Sequence, residues 1–266
     1  MKKLVTFSLF LHSFLCVFAS NFLLIGTREN SLGMSSISYQ SITTQNPAFY
    51  AFQENKAIYL YSQYHFSGIP VLNLTLAYPL KQEKVIQFSC SSFSTDFYKD
   101  QQFSLGYGQK IGEKLILGIS LQNQLIQIPS YYSHHVWKLS IGSTYLLTDK
   151  INVSFMTKIS LLNDVYQTEN EQRNLSENQL NIGFSYHQQK WQFVSEIQQI
   201  VTQSMILKAG INYFLNENFS CQIGCNSQQR WGVGTEISLN SYKIGTTINY
   251  QNLIGFVPHL SLQYDF

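Results

Sequence analysis

Few side chains in this sequence could do chemistry, and their spacing argues against catalysis. His134 and His135 are adjacent at the end of an outer loop. A metal site would need a matching cysteine or carboxylate cluster beside them, and the sequence offers none. Ser185 and His187 share one face of an extended segment, two residues apart, which is a poor nucleophile–base geometry. No third residue is placed to orient the imidazole. Beyond Cys16, the thiols are Cys90, Cys221 and Cys225, an odd number without CxxC spacing, so neither a disulfide scaffold nor a zinc site is indicated. Gly106, Gly108, Gly232 and Gly234 are not followed by a helix, so they make no phosphate cradle. They read better as space left for a segment packed inside a barrel. The sequence therefore predicts no catalytic residue, cofactor or metal, and no enzyme.

The elements that carry these residues are strands. In the last eleven residues, Leu260, Leu262, Tyr264 and Phe266 fall on one side, while His259, Ser261, Gln263 and Asp265 fall on the other. Successive strand side chains point to opposite faces, so the segment has a greasy face and a wet face. The same alternation predicts fourteen strands at 57–66, 71–79, 84–93, 102–111, 114–124, 136–147, 150–162, 178–188, 191–200, 204–215, 218–226, 230–240, 241–251 and 257–266. Each is close to the nine to eleven residues a tilted strand needs to cross a bilayer. The first is ambiguous, because Ile58-Tyr59-Leu60-Tyr61 is apolar on both faces.

Charge placement agrees. Lys138, Lys158, Glu196, Lys208, Glu236 and Lys243 all lie opposite the aliphatic rows. A lysine on a lipid face at mid-depth would cost about 2–4 kcal/mol. The polar faces are rich in Gly, Ser, Asn and Gln, as suits a crowded, hydrated lumen. With the C-terminus taken as periplasmic, the connections on that side are all tight. The three longest, around 94–100, 125–135 and 163–177, fall on the other side. That asymmetry belongs to outer-membrane barrels.

Composition bounds the rest. Charged residues are 12% and aromatics 15% of the 266 residues. Charge is low for a soluble domain, and beyond the leader no apolar run is long enough for a spanning helix. A net charge of +2 gives no case for nucleic acid as a partner. Met1-Lys2-Lys3 and the apolar run from Leu4 to Phe18 have the form of a secretory signal peptide, cut after Ala19 or Ser20. Lipidation at Cys16 is disfavoured because Phe14-Leu15 precede it. The predicted organisation is a signal peptide at 1–19, an N-terminal segment at 20–55 and an all-β transmembrane barrel at 56–266.

The N-terminal segment contains Gly26-Thr27-Arg28, then Leu32-Gly33-Met34-Ser35, then Gln45-Asn46-Pro47-Ala48. With the ending Gly-Phe-x-Pro-x-Leu-Ser-Leu-x-Tyr-x-Phe at Gly255–Phe266, this resembles the FadL-like outer-membrane barrels, including the type IX secretion proteins PorV and PorQ. It looks closest to small members from Bacteroidetes-type bacteria. The chain departs from the family pattern at Thr27, where Ala is usual, and in lacking a Gly after Asn46-Pro47-Ala48. The resemblance implies an N-terminal plug inside the barrel, with Gly26, Arg28, Gly33, Asn46 and Pro47 in it and Glu196 and Glu236 on the wall facing it. Arg28 is expected to pair with one of those carboxylates. The resemblance implies outer-membrane lipid and the barrel assembly machinery as partners, with Tyr264 and Phe266 as the assembly signal. Two functions follow from it: passage of a small hydrophobic compound, or a non-transport role beside a secretion-system or surface-attachment protein. Leu125, Ile126, Ile128, Tyr131 and Tyr132 form the apolar outer loop, the candidate ligand groove or docking patch.

Overall fold

The computed structural model describes residues 26–64, 70–81, 83–129, 131–161, 166–168, 171–173, 178–201, 203–252 and 255–266. The expected signal peptide lies outside them, as do residues 20–25 of the N-terminal segment.

Fourteen strands form one closed antiparallel barrel. They are β1 (Ala57–Tyr64), β2 (Pro70–Leu80), β3 (Lys84–Ser94), β4 (Lys99–Ile111), β5 (Leu115–Ile128), β6 (Tyr132–Thr148) and β7 (Ile151–Ser160). There follow β8 (Gln179–Gln188), β9 (Trp191–Ile200), β10 (Ile206–Asn216), β11 (Phe219–Asn226), β12 (Trp231–Leu239), β13 (Tyr242–Gln251) and β14 (Gly255–Asp265). Between β7 and β8, Tyr166–Thr168 and Glu171–Arg173 form a separate two-stranded pair. Each barrel strand pairs with its neighbour in sequence, and β1 closes the cylinder against β14, with Ala57 opposite Asp265 and Tyr61 opposite Ser261. The terminal Phe266 N–H donates to the Lys56 carbonyl at 2.7 Å, so pairing continues to the last residue. Closure removes the unpaired edge that a sheet of this length would otherwise expose.

The two faces of the wall sort as their alternation requires. On β5, Leu117, Ile119 and Leu121 are exposed outward, while Ile116, Ser120 and Gln122 are buried inward. On β14, Phe256, Leu260 and Leu262 point out and Val257, His259 and Ser261 point in. An exposed aliphatic row on nearly every strand makes a continuous apolar belt around the cylinder, which is stable only against hydrocarbon. Aromatic rings cluster at both margins. At the rim carrying the C-terminus, Tyr242 packs on Tyr264 at 4.8 Å and Tyr264 on Phe266 at 4.6 Å. At the opposite rim, Trp231 packs on Tyr250 at 5.4 Å and on Phe256 at 5.7 Å. Two such girdles mark the interfaces of a transmembrane barrel.

The structure resolves the ambiguous first strand. Tyr59 and Tyr61 turn inward and Leu60 outward, because the two phenol groups find polar partners inside. It also corrects two loops. The connection around 94–100 is a four-residue turn, Thr95–Tyr98, whose Thr95 Oγ1 accepts from Tyr98 N at 2.9 Å. The segment 125–135 is mostly not a loop: Leu125 pairs with His135, Ile126 with His134 and Ile128 with Tyr132, so β5 and β6 run on as a hairpin. Connections at the C-terminal rim are two or three residues long, and Glu83, Gly112, Gln189 and Asn240 take positive φ there.

The lipid-facing assignment is testable by charge insertion. Ile119→Arg is expected to lower folding stability in lipid vesicles by about 2–4 kcal/mol in a urea titration. An unchanged midpoint would mean that this row does not face hydrocarbon.

Candidate functional site in the barrel lumen

A polar inner wall leaves a packing problem, and residues 26–53 answer it. They form a short helix, α1 (Thr27–Ser31), and a 3₁₀ turn (Pro47–Phe52), both inside the cylinder. The wall makes room with glycine. A Cβ added at Gly245 would press on Thr27, and one at Gly234 would come within 2.8 Å of Ser31 Cβ. Next, Gly232 and Gly224 abut Asn30 and Leu32, a Cβ at Gly210 would lie 2.8 Å from Leu32 Cα, and one at Gly183 would lie 2.8 Å from Ser38 Cβ. Gly142 abuts Asn46, Gly118 abuts Pro47, a Cβ at Gly108 would lie 2.7 Å from Pro47 O, and Gly106 abuts Tyr50. Read in order, these contacts run from β13 back to β4 as the segment runs forward. The inner segment therefore travels most of the way around the wall on a track where side chains are missing. Gly33 adds a conformational requirement, with φ +70 where its backbone lies against Cys225.

Hydrogen bonds fix the segment to this track. Near its start, Thr27 Oγ1 shares a 2.7 Å bond with Ser261 Oγ, Thr247 Oγ1 donates to Thr27 O at 2.9 Å, and Asn249 donates to Asn30 at 2.9 Å. Tyr59 Oη accepts from Thr27 N, and Tyr61 Oη accepts from Asn30 Nδ2. At mid-course sits a buried ion pair. Lys208 Nζ meets Glu196 Oε1 at 2.9 Å, and Glu196 also accepts from Asn181 at 2.6 Å and from Ser36 N at 2.9 Å. Lys208 donates in addition to Met34 O at 3.0 Å. Both charges are thus satisfied partly by backbone of the inner segment, as a buried pair requires. Asn46 caps the 3₁₀ turn by accepting from Ala48 N at 3.0 Å, with Pro47 at its first position. Most of these groups are buried.

The sequence-predicted residues distribute as follows. Gly26, Gly33, Asn46 and Pro47 all lie in the inner segment, and Glu196 faces it directly. Glu236 points inward on β12 and is half-buried. The expected Arg28 ion pair is not formed. Arg28 Nη2 donates to Gln192 Oε1 at 2.9 Å, and its guanidinium covers the Tyr39 ring at 5.2 Å. Lys208 takes Glu196 instead, because the two are directly opposite on paired strands. Leu125, Ile126, Ile128 and Tyr132 belong to the β5–β6 hairpin and not to a loop, and Tyr131 at its tip is exposed. Tyr264 and Phe266 close the C-terminal rim. Sequence reasoning missed Asn181, Tyr59 and Tyr61, whose roles come from long-range contacts. It also missed a ladder in which Gln122 donates to Gln102 at 2.8 Å and Gln124 to Asp100 at 2.9 Å. Those strands, of thirteen and fourteen residues, show polar inward positions, but nothing local says which will bond.

A cavity of about 30 Å³ lies between Thr43, Thr44, Tyr50 and the wall residues Gln87, Ser120, Gln122 and Lys158. That is room for roughly one or two waters among hydroxyls and amides. Among the described residues, no three His, Cys, Asp or Glu side chains converge on a metal-sized site.

Solved structures share this architecture. The toluene transporter TodX of Pseudomonas putida matches with a TM-score of 0.62 at 12% identity, over 90% of this chain and 96% of that one. The fold is that of the FadL-type barrels. The toluene transporter TbuX of Ralstonia pickettii gives 0.67 at 9% identity over 92% and 99% of the two chains. A FadL homologue of Pseudomonas aeruginosa gives 0.58 at 10%, over 91% and 98%. Neither a protein-family model nor a curated protein matches the sequence. At such identities the likeness concerns the fold.

Two substitutions probe how the segment is held. Gly118→Ala puts a methyl against Pro47 and is expected to cost about 1–3 kcal/mol in a urea titration. Lys208→Met leaves Glu196 buried and unpaired, for a loss of about 3–5 kcal/mol, and the double variant with Glu196→Gln should recover much of it. Additive losses in the double variant would show that the two residues act independently.

Proposed function

We propose that this chain is a passive channel of the bacterial outer membrane for a small hydrophobic compound, with its inner segment as the gate. The observation that carries this reading is a closed barrel with the chain's own N-terminal segment packed along its inner wall. Hydrogen bonds hold that segment to the wall, some of them to the wall's own Glu196–Lys208 pair, together with small apolar clusters around Leu32, Ala48 and Tyr50. Each such bond is worth about 0.5–1.5 kcal/mol net, and polar contacts on a wet wall can be exchanged for water. The segment can therefore shift by exchanging such bonds one after another for water while the barrel stays intact. Support also comes from TodX and TbuX, described as toluene transporters, which share the fold. The lipid-facing belt and paired aromatic girdles support the membrane location.

One feature favours a second reading, an accessory role beside a secretion or surface-attachment complex. The space around the segment is lined by hydroxyls and amides, which solvate hydrocarbon poorly. Exposed Phe97 and Tyr131, on neighbouring hairpin tips beyond the wall, would suit a protein partner there.

Deleting residues 21–45 separates the two readings. In a planar bilayer the intact protein should be nearly silent, and the shortened one should open a steady conductance. Vesicles carrying the intact protein should also take up toluene faster than empty ones. A silent deletion variant together with unaltered toluene uptake would remove the channel reading and leave the accessory one.

A further inference from the structure

Two neighbouring rungs of the inner wall form the floor of the cavity beneath the inner segment. One rung crosses β2 to β5, from Thr75 to Gln122, each member paired with the next. The other crosses β3 to β7, from Gln87 through Gly106 to Lys158. Gly106 carries no side chain, and Tyr50 of the inner segment settles against it. Together with Thr43, Thr44 and Gln45, Tyr50 roofs the space of about 30 Å³ that remains.

The lining of this cavity is chemically one-sided. It consists of eight hydroxyl residues, three glutamines and one lysine, and it includes no carboxylate. An ammonium group can only donate, and hydroxyls and amides can donate too. The Lys158 side chain is buried in the wall. Inward carboxylates on nearby strands are bonded elsewhere, Asp100 by Gln124 and Glu196 by Lys208. The lining is therefore positive, in an interior where charge is weakly screened. Size narrows the ligand further. Room for one or two waters excludes phosphate, sulfate and carboxylates, but it admits a halide, which is little larger than a water molecule.

We propose that this cavity is a chloride site, in which Lys158 supplies the charge and the two rungs supply the hydrogen bonds. The ion joins the wall of β2–β7 to the roof of Thr43–Tyr50, and so ties the later half of the inner segment in place. Direct bonds there are long: Asn46 Nδ2 reaches Ser143 O at 3.5 Å and Thr144 Oγ1 at 3.4 Å. The site stands whether or not the barrel transports anything.

Urea unfolding of the full-length protein in detergent tests this, in sodium chloride against sodium gluconate at equal ionic strength. Gluconate is too large for the cavity. An ion bound only by the folded state stabilises it with the logarithm of ion concentration above Kd. The midpoint should rise in that way with chloride and bromide, and not with gluconate. Lys158→Gln should weaken halide binding about tenfold or more, the loss expected on removing one charged hydrogen-bond partner. Ser104→Ala should weaken it less, and Lys114→Gln, on an exposed turn, should leave it unchanged. Faster migration of unheated samples checks that each variant is folded. Crystals of the intact protein grown in sodium bromide give a direct reading, an anomalous peak in the cavity beside Lys158. Equal midpoints in chloride and gluconate, unaltered chloride dependence in folded Lys158→Gln, or no bromide peak would mean that the cavity holds water only, and would overturn the proposal.

Discussion

The constraint behind this molecule is that hydrocarbon offers no hydrogen bonds. A wall whose outward rows are leucine, isoleucine, valine and phenylalanine must satisfy every backbone N–H and C=O within itself. Fourteen strands do this by closing, and the decisive seam is β1 against β14, where pairing reaches the final residue. Once the cylinder is shut, alternation sends every second side chain inward. The inside is then as polar as the outside is greasy, and its polar groups need partners as well.

The inner segment supplies many of those partners, and the wall is shaped to receive it. Glycine within a strand normally weakens it, through lost packing and greater chain entropy. Here the inward glycines of β4, β5, β6, β8 and β10 to β13 let a second layer of chain approach the wall closely. The cost in strand propensity is offset by contacts that a side chain would forbid. Barrel and segment thus form one folding problem: neither the glycine track nor the buried Glu196–Lys208 pair makes sense without the other element.

This division explains what could be read from the sequence. Strand existence, facing and the tight turns at the C-terminal rim follow from a period of two and from turn residues, both local signals. The inward lysines and glutamates followed from the same period. The inner segment was legible through Gly26, Gly33 and Asn46-Pro47. Its partners were not, because which wall residue faces Arg28 depends on register around a closed cylinder. Arg28 meets Gln192, and Lys208 claims Glu196, for reasons written in strand pairing and not in spacing. The β5–β6 hairpin misled for a different reason. Leu125-Ile126-Gln127-Ile128 breaks the alternation, and Pro129 with the tyrosines looks like a loop, yet pairing carries on past the last alternating residue.

The account stands or falls on the closed barrel in a membrane. Its most direct measurement is cell fractionation followed by electrophoresis of unheated and boiled samples. The protein should partition with membranes, need detergent for extraction, and migrate faster unheated than boiled, as an intact closed barrel does. Recovery in the soluble fraction without detergent, with identical mobility before and after boiling, would contradict it.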